Sequence, residues 1–284
     1  VYEQRRSGSF MARVRVTAGV ITAHQIRALA DAADVFGNST LHCTTRQDIQ
    51  IHDVELENAP KLFEKLLEAG LVCRGGGGNT VRTVTADPFA GIDPDEVFDV
   101  TPYALAVTEY LLRSRSSFNL PRKYKIAFSA TPSDRANTFA TDLGFIPVVR
   151  QDRRGFRVFA GGGMGAVSGT AVEIMDFLPE DKVCHMAEAV KRVFDTHGDR
   201  SNRHRARLRF VLGRMGAEKF REVILSEFRA VCSEEIDPVP SRQRNILDLT
   251  GREQEESPDN VFTQAVPGLY AVELRPFLGN ISSR

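Results

Sequence analysis

No apolar run in this chain approaches the ~18 residues needed to cross a bilayer, and no signal peptide is visible. Neither sign of charge is in excess, with 37 lysines and arginines against 37 aspartates and glutamates. That balance excludes a general binder of nucleic acid or membrane surfaces, but not a local basic pocket. Cysteine is scarce. Cys43, Cys73, Cys184 and Cys232 stand tens of residues apart and match no C-x-x-C pattern. They read as free, buried or half-buried thiols in a reducing compartment. The six histidines form no H-x-x-x-H or H-E-x-x-H pattern, so no protein metal site is expected. The chain opens on Val1 rather than Met, so a short leader can precede it. Together these features predict a soluble cytoplasmic protein.

What is present is ordinary globular material, 42% hydrophobic and 26% charged over 284 residues. That length allows one large domain or two smaller ones. "SFMARVRVTAG" alternates as a half-buried strand, with Arg13 and Arg15 on its polar face. Thr22 and Gln25 form a candidate capping box for a helix to about Phe36. "STLHCTTRQDIQIHDV" gives two short strands around Arg46, and "NAPKLFEKLLEAG" an amphipathic helix ended by Gly70. The order β-α-β-β-α suggests a ferredoxin-like unit over 1–74.

A mixed α/β domain is expected over 75–232. It holds a helix from about Pro102 to Arg115, strands in "GFIPVV" and "GFRVFAGGGMGA", and a helix stopped by Gly198. Two further helices are expected at Asn202–Gly213 and Ala217–Arg229. Residues 233–257 are charged and proline-bearing and read as a linker. The remainder, 258–284, contains a gapless echo of the beginning. "GSFMARVRVTAGVIT" at Gly8 and "GLYAVELRPFLGNIS" at Gly268 align at a constant offset of 260 residues. That suggests an internal repeat.

The glycine runs at Gly75–Gly78 and Gly161–Gly165 lack the spacing of a nucleotide loop. Tight turns are the expected reading. "NLPRKYKIAFSATP" reads as a strand whose Lys123 and Lys125 alternate with Tyr124, Ile126 and Phe128, so both ammonium groups share a face. Arg13, Arg15, Arg46, Arg82, Arg122, Lys123 and Lys125 all sit in or beside strands. Such a set suits an anion site, because arginine forks onto carboxylates and lysine supplies a point charge or a proton. "NRHRARLRF" reads as a solvated or salt-bridged helix face, pairing Arg203 with Arg207 and Arg205 with Arg209. In "RQDIQIH", Arg46, Asp48, Gln50 and His52 fall at strand spacing on one face.

These pieces, in this order, resemble the sirohaem-dependent sulfite and nitrite reductase family. "FMARVRVTAGVIT" is similar to its opening strand, and "TTRQDIQIH" to its T-x-R-Q-x-x-Q-x-H segment. "GNTVRTVTADPFAGIDPDE" resembles its Asn-x-x-Arg-Asn-Val region, with Thr83 where asparagine is usual. "LPRKYKIAFSATPSDRA" resembles the segment of its active-site lysines. The resemblance implies an α+β fold: a ferredoxin-like half domain followed by a mixed α/β sirohaem-type domain, the first of two pseudo-symmetric repeats. By matching position, Arg13, Arg82, Lys123 and Lys125 are implied as substrate-anion and catalytic residues. Arg46, Gln50, His52, Asn79 and Arg122 are implied as sirohaem contacts.

The implied activity is six-electron reduction of sulfite or nitrite at sirohaem coupled to a 4Fe-4S cluster. The electron donor would be ferredoxin or a flavoprotein. The cluster needs C-x5-C and C-x3-C. This chain carries Asp87, Asp93, Thr131 and Arg135 at those places, so the ligands are expected outside it, in a missing C-terminal repeat. Expressed alone, the chain is expected to be inactive. Alternatives are a precorrin-3B synthase-like enzyme and a non-enzymatic tetrapyrrole-binding paralogue.

Overall fold

The computed structural model describes residues 1–236 and 260–283. Most of the linker expected at 233–257 lies outside those residues. The chain divides into two compact units. The first combines Val1–Gly78 with Arg275–Arg284, and the second is Asn79–Leu274. The C-terminal segment is thus shared between the two.

The first unit is a five-stranded antiparallel sheet in the order β1-β2-β4-β3-β12. Its strands are β1 (Tyr2–Glu3), β2 (Phe10–Val14), β3 (Thr40–Cys43), β4 (Ile49–Val54) and β12 (Asn280–Ser282). Helices α1 (Ala23–Phe36) and α2 (Ala59–Glu68) cover one face. The capping box at α1 forms as the sequence predicts: Gln25 N donates to Thr22 Oγ1 at 3.2 Å, and Thr22 N to Gln25 Oε1 at 3.0 Å. Alternation in the strands sends Ala12, Val14 and Ile51 into a core with Leu29, Ala33, Leu62 and Leu66. Arg15 lies just past β2, bridges to Val72 and is buried, and its Nε donates to Arg74 O at 3.2 Å. Likewise β4 begins only at Ile49, so Arg46 and Asp48 belong to the β3–β4 turn. There Thr44 Oγ1 accepts from Arg46 N and Asp48 N.

The second unit is built on a mixed sheet, β5-β6-β7-β8-β9. It contains β5 (Thr85–Ala86), β6 (Ile126–Phe128), β7 (Leu143–Arg150), β8 (Arg153–Ala160) and β9 (Val172–Pro179). The first three strands run parallel, and the last two pairings are antiparallel. Around the sheet lie α3 (Thr101–Arg113), α4 (Val183–His197), α5 (Leu208–Met215) and α6 (Ala217–Val231). Phe128, Phe145 and Phe156 stack and edge onto one another at the centre, with centroids 4.5–5.8 Å apart. Strand β9 was not foreseen. Arg203 and Arg205 precede α5 in a turn, so the expected helical pairing with Arg207 and Arg209 does not form.

The internal repeat extends to backbone geometry. In the first copy Tyr2 pairs with Met11 and Glu3 with Phe10. In the second, β10 (Val261–Thr263) and β11 (Tyr270–Val272) pair Phe262 with Ala271 and Thr263 with Tyr270, the same register at the same offset. Both copies then enter a 3-10 turn with a left-handed residue: Ala18 at φ 57° and Gly19 at 71°, Leu278 at 50° and Gly279 at 76°. A left-handed alanine or leucine is uncommon. Its recurrence argues against a chance likeness of two short strands.

Candidate functional site

Each unit carries its own polar cluster. In the first, Arg13, Gln50, His42 and Asn280 occupy successive paired positions on β2, β4, β3 and β12. The Gln50 amide oxygen, assigned toward Arg13, accepts from its Nε at 3.0 Å, and the amide nitrogen meets His52 Nε2 at 3.0 Å. His52 Nδ1 meets Gln4 Nε2 at 2.9 Å. Burial lowers the His52 pKa, as do His42 and Arg13, against an opposing pull from Asp53. His42 Nδ1 meets Asn280 Oδ1 at 2.8 Å, and its ring lies edge-on to His52 with centroids 6.0 Å apart.

The first glycine run closes against this cluster. Arg13 Nη1 donates to Gly76 O at 3.3 Å, and a Cβ at Gly76 would stand 3.0 Å from Arg13 O. A Cβ at Gly77 would collide with the Tyr2 ring. Close backbone approach explains these glycines without a nucleotide loop. Of the expected residues here, Arg13, Gln50 and His52 come together, while Arg46 sits in the adjoining turn. His42 and Asn280 were missed. Each looks unremarkable in sequence, and only strand register places them in the row.

In the second unit, Asn79, Arg82, Arg122, Lys123 and Lys125 are drawn together by pairing between residues 79–82 and 120–124. Leu120 N donates to Asn79 O at 2.9 Å, Tyr124 N to Thr80 O at 3.0 Å, and Arg82 N to Tyr124 O at 2.8 Å. Val81 and Tyr124 form a parallel bridge. Arg122 Nη1 reaches Asn79 Oδ1 at 3.3 Å. Regular strand β6 begins only at Ile126, so the lysines precede it rather than lie within it. The expected alternation holds: Tyr124 and Ile126 are buried, while Lys123 and Lys125 keep partial exposure. The Tyr124 hydroxyl donates to Ala187 O at 3.0 Å, fixing this segment to α4. Burial, and after it the nearby Arg203 and Arg207, lower the Arg122 pKa.

A third group involves the positions where a cluster-bearing repeat would have cysteines. Arg135 Nε donates to both oxygens of Asp87 at 3.2 Å, its Nη2 to Asp93, and its guanidinium lies 5.2 Å from the Phe89 ring centre. Thr131 Oγ1 lies 2.7 Å from Ser133 Oγ. No thiol is present there. Among the described residues no group of three histidine, cysteine, aspartate or glutamate side chains could hold a metal ion. All four cysteines are free.

Comparison with known proteins matches residues 77–231 to the nitrite and sulphite reductase 4Fe-4S domain, and residues 2–69 to the nitrite/sulfite reductase ferredoxin-like half domain. The chain belongs to the nitrite and sulfite reductase family. The sirohaem-family resemblance and the α+β architecture are thereby borne out. Ferredoxin–nitrite reductase of Synechococcus elongatus is 32% identical over 230 residues, 78% of this chain and 45% of that protein. Sulfite reductase [ferredoxin] 1 of Mycolicibacterium paratuberculosis is 30% identical over 96% of this chain and 47% of its own length. Among solved structures, the NirA protein of Mycobacterium tuberculosis superposes with a TM-score of 0.79 at 30% identity, covering 97% of this chain and 48% of NirA. Dissimilatory sulfite reductase I shares the fold, with a TM-score of 0.67 at 14% identity. The chain therefore spans about half the length of the curated relatives it matches. Among the described residues no helix is long and apolar enough to cross a membrane.

Proposed function

We propose that this chain is the first repeat of a cytoplasmic sulfite or nitrite reductase, with a further repeat completing the enzyme. The observation that supports this reading is the pairing of residues 79–82 with 120–124, which brings the backbone segments bearing Arg82 and Lys123 side by side, with Lys125 next along the chain. Domain limits near 1–74, 75–232 and 258–284 remain the functional division we adopt, the last being the start of the second ferredoxin-like repeat.

The donor set suits a polycarboxylate tetrapyrrole. By the family resemblance, Arg46, Gln50 and His52 in the first unit, and Asn79 and Arg122 in the second, would offer cationic and amide groups to its carboxylates. Bound sirohaem would supply the multi-electron chemistry. By the family resemblance, Arg82, Lys123 and Lys125 of the second unit would bind the oxyanion and neutralise its charge, a role strongest where water is excluded, and Arg13 of the first unit would be assigned to the same role by its matching position. The lysine ammonium groups would also furnish protons. Sulfite and nitrite are both small anions that four cations would meet alike. That the relatives are ferredoxin–nitrite reductase and sulfite reductase [ferredoxin] supports ferredoxin as electron donor.

The residues of this chain do not fit an iron–sulfur cluster. Asp87 and Asp93 are engaged by Arg135, and thiolates are needed for all four irons. The ligands would come from the second repeat, and this chain alone would not turn over substrate.

In the full-length protein, Lys123→Ala or Lys125→Ala should cut turnover by about 10²–10³-fold while the melting temperature stays near wild type. Wild-type rates in both variants would remove the lysines from the mechanism. A full-length protein purified without tetrapyrrole absorption bands would count against the reading as a whole.

A further inference from the structure

We propose that Asp142 and Arg207 are positioning residues for Lys125, fixing the backbone from which its ammonium group is presented. The proposal rests on the reading of Lys125 as an anion-binding residue.

Asp142 stands immediately before β7, and its carboxylate has no solvent exposure. Three donors converge on it. Lys125 N reaches Oδ2 at 2.8 Å, Arg207 Nη2 reaches Oδ2 at 2.8 Å, and Arg207 Nε reaches Oδ1 at 3.2 Å. The next residue completes the grip, since Leu143 N donates to Lys125 O at 3.1 Å. Both backbone polar groups of Lys125 are therefore held by consecutive residues. The Asp142 carbonyl accepts from Gly161 N at 2.9 Å. Asp142 thus ties together the basic segment, the end of β8 and the start of α5.

Regular pairing of β6 with β7 begins at Ile126 and Leu143. One residue earlier, the amide of Lys125 takes a side-chain carboxylate in place of a backbone carbonyl. That bond is charge-assisted and stronger than an ordinary ladder bond. Arg207 is in turn the fork that orients the carboxylate, and its side chain is only 13% exposed.

Stability alone does not account for such a pair. A buried ion pair loses much of its Coulomb energy to desolvation, and an apolar pair of similar size often serves the fold as well. What the pair adds is placement. Displacing a reacting group by about 1 Å can cost about 10²-fold in rate. A lysine has a long, flexible stem, so its base is the part that the protein can fix.

The test is a double-mutant cycle in the full-length protein, with sulfite or nitrite as the measured substrate. Asp142→Asn should lower kcat by about ten- to a hundredfold while tetrapyrrole absorption is retained. In a Lys125→Ala background the same change should lower kcat by less than about twofold, because its effect runs through Lys125. Arg207→Lys, which keeps the charge, should retain more activity than Arg207→Met. If Asp142→Asn fails to fold, Arg207→Lys enters the cycle in its place. Equal losses in both backgrounds would overturn the positioning role and leave the Lys125 assignment standing. Wild-type turnover in Lys125→Ala would overturn both, and that single variant identifies which has failed first.

Discussion

Arg135→Met isolates the ion-pair node that occupies the cysteine positions of a cluster-bearing repeat. Asp87 has a fully buried side chain, and Arg135 supplies it with two hydrogen bonds. Without Arg135, the carboxylate keeps the bond from Phe89 N at 3.0 Å. Removing one partner of a buried pair costs about 3–5 kcal/mol. Arg135 is itself 36% exposed, so water can compensate part of that loss. Losing its contact with the Phe89 ring adds roughly 0.5–1 kcal/mol. The expected cost is about 2–4 kcal/mol, or a fall in melting temperature of roughly 5–12 °C for a unit of this size. Circular dichroism during thermal and urea unfolding measures it. Asp87→Asn should recover part of the loss when combined with Arg135→Met, since no charge is then stranded. The acid limb gives a second check. Burial acts to raise the Asp93 pKa, but the hydrogen bonds from Arg135 and from Asp95 N, with the Arg135 charge, together outweigh it, and the pKa is lowered. The matching stability is present above the ordinary aspartate value near 4 and is lost as pH falls through the lowered one. Arg135→Met should flatten that limb. A cost under about 0.5 kcal/mol would refute the argument that Arg135 neutralises a buried carboxylate.

Other outcomes can be stated more briefly. Burial lowers the pKa of His185, with Lys182 adding to it, so its neutral form belongs to the folded state. Stability from this group is present above about pH 6.5 and is lost as pH falls through the lowered value. His185→Gln should therefore reduce the pH dependence of unfolding between about pH 7 and 5, and an unchanged slope would refute it. Burial pushes the thiol of Cys184 up to about 12 and that of Cys73 up to about 11. Peptide mapping after brief maleimide treatment at pH 8 should find both labelled more slowly than Cys232; rapid labelling of Cys184 would contradict its burial. Tyr124→Phe removes the bond to Ala187 O and should cost about 1–2 kcal/mol in urea unfolding. A neutral result would show that the hydroxyl does not fix the basic segment to α4.

How far the sequence could be read depends on whether a feature is local. The α1 capping box, the amphipathic α2 and the strand alternation of β2 are set by neighbours within a few residues, and all form as expected. Arg46 and Asp48 were placed on the β4 face because a period of two runs on unbroken through "RQDIQIH". The turn that ends the pattern rests on Gln47, held at φ 59°, which composition does not announce. Arg207 was assigned to a helix surface by spacing alone. Its partner Asp142 lies far away along the chain, and nothing local to "NRHRARLRF" indicates a buried carboxylate. The same applies to His42 and Asn280, which meet through register between strands from opposite ends of the sequence.

The repeat carries one step further when exposure is compared between its copies. Ala12 and Val14 are fully buried beneath α1 and α2. Their counterparts at the same offset, Val272 and Leu274, are 60% and 81% exposed, and Leu278 is exposed where Ala18 is buried. The second copy has the same backbone register and the same left-handed turn, yet among the described residues no pair of helices covers its apolar positions as α1 and α2 cover the first. Single exposed apolar residues are normal on protein surfaces. Here they occur at the positions that the first copy buries, which is the pattern of a half-built core. A ferredoxin-like unit gains its stability by packing two helices on that face. The reading of this chain as the first of two repeats therefore makes a physical demand. In the full-length protein, Leu274→Asp should destabilise by about 2–5 kcal/mol, the scale of a disrupted core position. In the chain ending at Arg284 the same substitution should change stability by less than about 0.5 kcal/mol. Equal effects in the two proteins would mean that nothing covers Leu274, and the two-repeat reading would lose its physical basis.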